Sequence, residues 1–190
     1  MGKIHDHISP RMARFLLEQP VFFVGSAPLD AEGHVNVSPK GMSGTFAILD
    51  EHRVAYLDYT GSGAETIAHV RENGRVVLMF CAFTGPPNIV RLHGRGRILT
   101  PTDPEFAPLR RRFPKERTLG QRSLVVVDVH RISDSCGFSV PLMEWTGDRD
   151  LLDRHHERHD PAYFDEYHRT RNATGIDGTP ALSPPGPEPV

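Results

Sequence analysis

Cysteine, lysine and tryptophan are scarce in this chain, and no run of apolar residues is long. The two cysteines, Cys81 and Cys136, stand far apart among 190 residues. That is too few for a disulfide framework, and they lack the paired spacing of a zinc site. A reduced, cytoplasmic setting is the expectation. No apolar stretch approaches the roughly 20 residues a membrane-spanning helix needs, and the segment from Met1 to His7 is polar, without a signal-peptide core. Neither sign of charge dominates: the formal net charge is −2. Nucleic acid and membrane surfaces are therefore not expected partners. One local basic cluster, Arg110, Arg111, Arg112, Lys115 and Arg117, has no interleaved aromatics. It reads as a solvated helix end, with a groove for an anionic ligand as the alternative.

What is present is enough for one sizeable core, since a chain of this length buries about 70% of its unfolded surface. Ser9-Pro10 starts a helix, with Ser9 as N-cap and Pro10 in the first helical position, and Pro20 stops it. Val21 to Val24 reads as a buried strand, Leu29 to Gly33 as a turn and Val35 to Ser38 as the returning strand. Thr45 to Leu49 and Arg53 to Tyr59 form a second hairpin around Asp50-Glu51-His52. Ser62 to Asn73 reads as a helix closed by Gly74. Val76 to Phe83 and Ile89 to Leu99 are two further strands, Thr102-Asp103-Pro104 opens a helix to about Arg112, and Ser123 to Ile132 is a strong last strand. Strands that follow one another with few helices between them argue for an antiparallel barrel, because closure removes exposed edges. Beyond Trp145 the composition shifts: 151–175 reads as a C-terminal helical extension and 176–190 as a Pro/Gly-rich tail, its last ten residues mobile.

Three stretches carry candidate chemistry. In Val35-Asn36-Val37-Ser38-Pro39-Lys40-Gly41 a strand runs into a loop with a cation at its mouth. Pro39 confines the strand to an edge or ends it there, and Lys40 is one of three lysines. Tyr59-Thr60-Gly61-Ser62-Gly63-Ala64-Glu65-Thr66 is a glycine-rich strand-to-helix turn, where free N–H groups and the positive helix end favour an anion. The same residues also fit a capping box, with Ser62 as N-cap and Glu65 at the third helical position. In Asn88 to Arg97, the residues Arg91, His93, Arg95 and Arg97 alternate with apolar ones. Their face is either solvent or the wall of a polar cofactor site.

In order and spacing, these stretches resemble the pyridoxamine 5'-phosphate oxidase-like family over roughly Val21 to Ile132. Ser38-Pro39-Lys40-Gly41 matches the strand end that lies against the flavin. Tyr59-Thr60 matches an aromatic-Thr pair at the next strand end, and Val90-Arg91-Leu92-His93-Gly94 matches a Val-Arg-x-x-Gly strand. The resemblance implies a mainly β (α+β) fold, a six-stranded antiparallel split β-barrel with peripheral helices, spanning 1–150. It further implies a homodimer with FMN at the interface and an oxidoreductase passing hydride between flavin and a small molecule. Ser38, Pro39, Lys40, Gly41, Tyr59, Thr60, Ser62, Gly63, Thr66, Arg91 and Trp145 are the candidate cofactor-binding residues. Lys40, with Arg91 second, is the cation that would sit near the flavin pyrimidine ring, and Trp145 would cap the cleft of a partner subunit. The sequence departs from the family where the oxidase places an Arg-Lys pair on the FMN phosphate: Glu65-Thr66 stands there. Two alternatives share the fold. One is a reductase using the deazaflavin coenzyme, whose anionic tail would use the Arg110 to Arg117 cluster. The other is a non-catalytic flavin- or haem-binding dimeric barrel, with His93 or a C-terminal histidine on the haem. No catalytic residue is assigned.

Two further features are discounted. His155 and His159 lie at i, i+4, but not in the His-Glu-x-x-His order of a metalloprotease and without a third ligand at defined spacing. They read as a solvated helix face, and no metal is expected. Cys136 has no basic neighbour to lower its pKa and is not a candidate nucleophile.

Overall fold

A computed structural model describes residues 2–182. Eight strands and five helices follow in the order β1 (Lys3–His5), α1 (Pro10–Glu18), β2 (Phe22–Ser26), β3 (Asn36–Lys40), β4 (Phe46–Asp50), β5 (Arg53–Tyr59), α2 (Glu65–Asn73), β6 (Arg75–Cys81), β7 (Ile89–Leu99), α3 (Phe106–Arg110), β8 (Gln121–Ser135), α4 (Leu151–His156) and α5 (Pro161–Arg171). All strands join one antiparallel sheet in the order β3-β2-β6-β7-β8-β5-β4, with β1 added to the end of β8. The mainly β, antiparallel expectation holds, and the strand count is eight rather than six. β1 is the strand that pattern reading missed. Its three residues show no apolar alternation, and it is held by its ladder to β8 and by Asp134, which accepts from the Lys3 N–H and pairs with His5.

Local chemistry explains most boundaries. Ser9 accepts a hydrogen bond from the Met12 N–H at 3.3 Å, and Pro10 occupies the first helical position of α1. The buried residues Met12 and Leu16 turn the helix onto the sheet. Pro39 sits in β3, an outermost strand of the sheet, where a missing N–H costs no interior ladder bond. α2 ends at Gly74 in the left-handed conformation, φ 71°, and its N–H donates to the Val70 carbonyl.

The start of α2 differs from expectation. The N-cap is Ala64, without a side-chain cap, and Glu65 is the first helical residue. The capping box from Ser62 does not form. Glu65 instead places its charge in the first turn, favourable to the helix dipole, and folds back over the loop. A Cβ on Gly63 would lie 2.6 Å from its Oε2.

The sheet curls until side chains from its two ends meet. Phe22 of β2 lies 5.3 Å from Phe46 of β4 and 5.6 Å from Tyr56 of β5, ring centroid to centroid. Phe80 of β6 closes the cluster at 5.2 Å from Phe22 and 5.0 Å from Phe46. No ladder joins β3 to β4, so hydrogen bonds do not close the sheet there. This inner core includes Val54, Tyr56, Val125 and Val127. A second core covers the outer face, where Ala55, Leu57, Tyr59, Leu124 and Val126 meet Phe113 and partly buried Phe106, Leu109 and Leu152. β5 beyond Arg53 and the first half of β8, to Val127, are therefore buried on both faces, which accounts for the near-continuous apolar run Leu124 to Val127.

After a largely exposed stretch over 138–150, the C-terminal segment returns to the barrel. α4 and α5 pack beside the turn that follows β5, and Asn172 is fully buried. Residues 172–182 return along α2, with Ala181 buried against Ile67 and Ala68. The tail expected to be mobile lies mostly outside the described residues.

Candidate functional site

A pocket of about 290 Å³ opens where the ends of β3 and β5 meet the loop leading into α2. Seven of the eleven expected cofactor residues line it: Ser38, Pro39, Lys40, Tyr59, Ser62, Gly63 and Thr66. Gly41 and Thr60 flank it without lining it. The Gly41 carbonyl accepts from the Thr45 hydroxyl, and the Thr60 hydroxyl bonds the His168 imidazole. Arg91 and Trp145 lie elsewhere. Arg91 donates to the Ser135 hydroxyl along the β7–β8 ladder, and Trp145 is 56% exposed on the segment after β8.

The electrostatic centre was not among the expected residues. Asp58, fully buried on β5, accepts from Arg122 Nε at 2.7 Å, Ser123 Oγ at 3.1 Å and Lys40 Nζ at 3.2 Å. Burial pushes its carboxyl upward, but the charges and hydrogen bonds of Arg122 and Lys40 outweigh that effect and hold it at about 2. Arg122 reaches Asp58 because of a bulge. Asp58 pairs with Ser123 and Tyr59 with Gln121, leaving Arg122 as the extra residue of β8. Its guanidinium also caps the Gly63 carbonyl at 2.9 Å. The sequence carried one hint of this centre, an aspartate inside the otherwise apolar strand Val54 to Tyr59, since a buried carboxylate calls for a partner. Which cation answers depends on the bulge, and no periodicity reveals that.

Two features of the pocket remain unpaired. The Tyr56 hydroxyl is buried with no partner among the described residues, beneath the Lys40 ammonium 5.7 Å above its ring. Burial and the neighbouring Asp58 charge raise its pKa well above the ordinary value, against the pull of Arg122, so it stays a neutral donor. The backbone N–H groups of residues 61–67 also find no acceptor among the described residues; the first helical bond of α2 is that from Ala68 to Ala64. An orphaned buried hydroxyl and a run of amides without acceptors at a helix start are donors suited to an acceptor-rich ligand.

Behind the pocket wall a second polar network fixes hydroxyl directions. Asn36 Nδ2 donates to Thr66 Oγ1 at 3.0 Å, while its Oδ1 accepts from Ser38 Oγ at 3.2 Å. Thr66 therefore keeps its own hydroxyl hydrogen for another acceptor, and Ser38 keeps free lone pairs. Ser26 continues the chain to the buried His69 Nδ1 at 3.0 Å.

The basic cluster is largely spent within the chain. Lys115 and Arg117 pair with Asp153, Arg117 also with Glu157, and Arg110 binds Gln121 and the Lys115 and Arg117 carbonyls. It docks α4 to the barrel and offers no free groove at those three residues. His155 and His159 pack against one another and Tyr163. No group of three or more His, Cys, Asp or Glu side chains among the described residues could hold a metal ion. No helix among them is long and apolar enough to cross a membrane.

An antiparallel sheet curled on itself, with a polar pocket at the β3–β5–α2 junction, defines a class, and comparison with known proteins supplies it. The pyridoxamine 5'-phosphate oxidase family model matches residues 8–136, and the chain belongs to that family. Among curated proteins it is similar to the pyridoxamine 5'-phosphate oxidase family protein ustO of Aspergillus flavus, 42% identical over 149 residues. That match takes in 78% of this chain and 59% of the relative, so the chain spans somewhat over half the relative's length. Among solved structures it resembles two of HupZ from Group A Streptococcus, each 20% identical, with TM-scores of 0.55 and 0.53. These cover 67% and 66% of this chain and 99% and 91% of those chains, and at that identity they speak to the fold alone.

Proposed function

We propose that the pocket holds the phosphate-bearing end of a flavin, FMN, and that the chain is a flavin-dependent oxidoreductase acting on a small molecule. The observation carrying this reading is the conjunction, in one pocket, of the free amides of residues 61–67 with the orphaned Tyr56 hydroxyl. The donor set fits a phosphate ester. It offers N–H groups at the start of a nine-residue helix, the Thr66 hydroxyl, the neutral Tyr56 hydroxyl and the Lys40 ammonium. Family membership supports the flavin, and the remainder of the ligand would extend beyond a pocket at the small end of the range for such sites.

A bound flavin supplies hydride chemistry; the protein supplies position and electrostatics. Asp58 keeps Lys40 and Arg122 in place and cancels much of their charge, so they act as oriented donors more than as a free positive field. Glu65 stands in opposition, because its carboxylate lies over Gly63 where a phosphate would approach. At about 4 Å two such charges repel by about 1–4 kcal/mol, depending on solvent access. Anion binding thus requires Glu65 to swing outward.

The exposed apolar side chains Phe138, Leu142, Met143 and Trp145 on the segment after β8 would bury themselves in a homodimer. Light scattering should return twice the 21.2 kDa chain mass.

The test is titration of the purified protein with FMN, followed by flavin fluorescence. Saturable binding weakened about tenfold or more by Lys40→Ala, and strengthened by Glu65→Gln, is expected. Absence of binding, or Glu65→Gln weakening it, would sink the reading. Reduction of the bound flavin by a panel of small-molecule donors then tests turnover.

A further inference from the structure

We infer that the C-terminal segment is a clamp that sets which way the peptide groups of the Thr60–Ala64 loop face, and so makes the pocket anion-selective; the inference rests on the pocket reading above. Three carbonyls of this loop and the Thr60 hydroxyl are each held by a side chain from outside it. His156 Nε2 donates to the Thr60 carbonyl at 3.0 Å, and Asn172 Nδ2 donates to the Gly61 carbonyl at 3.0 Å. Arg122 Nη1 donates to the Gly63 carbonyl at 2.9 Å, and the Thr60 hydroxyl bonds His168 Nε2 at 2.8 Å. Thr60, His156 and Asn172 are all buried.

In a trans peptide the carbonyl of one residue and the N–H of the next point in opposite directions. Holding the carbonyls of Thr60, Gly61 and Gly63 therefore also fixes the N–H groups of Gly61, Ser62 and Ala64, three of the first four members of the unpaired run. Gly61 and Gly63 would otherwise allow these peptides to rotate freely. A rotated peptide would present a carbonyl oxygen where an amide now stands, and the loop would repel the anion it is built to accept.

The clamp is specific in its chemistry. A carbonyl only accepts, so His156 carries its proton on Nε2, and its Nδ1 is buried against Gly120 without a partner among the described residues. Gly120 has φ +74° and is packed so closely on the His156 ring that no Cβ could fit between them. The Gly120 carbonyl also accepts from the Thr60 N–H at 2.8 Å, which ties both ends of the Thr60 residue. His156, His168 and Asn172 all lie outside residues 8–136 that match the family model. Apart from Arg122 of β8, the clamp is thus a feature of this chain's extension, acting through the loop, and its residues are positioning residues.

The experiment uses the whole chain and two probes, FMN and riboflavin, which differ in the phosphate. Wild type, Asn172→Ala, His168→Ala, His156→Ala and His156→Gln are titrated with each, after thermal melts establish that each variant is folded. His168→Ala removes a half-buried side chain and keeps the test open if the buried positions do not tolerate change. The expected result is that Asn172→Ala and His168→Ala weaken FMN about tenfold and riboflavin less than about twofold, collapsing the preference for the phosphorylated ligand. His156→Gln, which keeps a donor, should retain FMN affinity that His156→Ala loses. Folded variants that bind FMN as wild type does, or that lose both ligands in equal measure, overturn the clamp alone. A wild-type chain that binds neither probe overturns the pocket reading and the clamp together.

Discussion

Asp58→Asn is the substitution whose consequence follows most directly from the geometry. The Asp58 and Arg122 side chains are each 4% exposed, and Lys40 is 24% exposed. The asparagine keeps the shape and one acceptor but removes the charge, leaving a buried guanidinium uncompensated. Breaking a buried pair from one side costs about 3–5 kcal/mol, a large part of the roughly 5–15 kcal/mol that holds a domain of this kind together. At about 2–4 °C per kcal/mol for this chain length, the midpoint should fall by about 6–20 °C. Thermal and urea melts at pH 7 provide the measurement, and the double variant Asp58→Asn/Arg122→Met should recover most of the loss, because the stranded charge is then gone. The sign with pH is fixed as well. A carboxyl held at about 2 rather than 3.8 stabilises the fold fully above about pH 4 and loses that contribution as pH falls towards 2. Its size is on the order of 2 kcal/mol. A midpoint change below about 2 °C for the single variant, or a double variant no better than the single one, would refute the reasoning.

Three other outcomes are expected. Tyr56→Phe removes a buried hydroxyl that has no partner among the described residues, so the ligand-free protein should be as stable or up to about 1–3 kcal/mol more stable, while FMN binding weakens; melts with and without FMN separate the two effects. Gly120→Ala forces a Cβ into the His156 ring at a positive φ and should cost more than about 1 kcal/mol, with α4 losing hydrogen-exchange protection before the strands do. Thiol labelling of the native protein should modify Cys136, which is exposed, and spare Cys81, which is buried and whose thiol pKa burial raises; two fast-reacting thiols would contradict the packing of β6.

Much of the scaffold was legible because local signals and tertiary demands agree. The hairpin around Asp50-Glu51-His52, the strand from Ile89 to Leu99 and the Ser9-Pro10 helix start all appear as their residues imply. The elements that escaped are those fixed by partners distant in sequence. β1 exists because β8 offers it an edge, and α2 starts at Glu65 because the loop before it is held by Arg122 and the C-terminal segment rather than by Ser62. The candidate site divides along the same line. Lys40, Ser62 and Thr66 lie in motifs and could be named, whereas Arg122 enters through a one-residue bulge and Tyr56 looks in sequence like any core aromatic.

The packing of α4 and α5 on the loop after β5 has a consequence for how the protein is made. A chain synthesised from its N-terminus can assemble the whole sheet once β8 has emerged, with the inner aromatic cluster already complete. The loop from Thr60 to Ala64 then waits for residues about a hundred positions later in translation. A nascent chain stalled with β8 outside the exit tunnel and α4 still within it would display a folded barrel with an unset pocket, so structure and ligand competence are acquired at separate moments of synthesis.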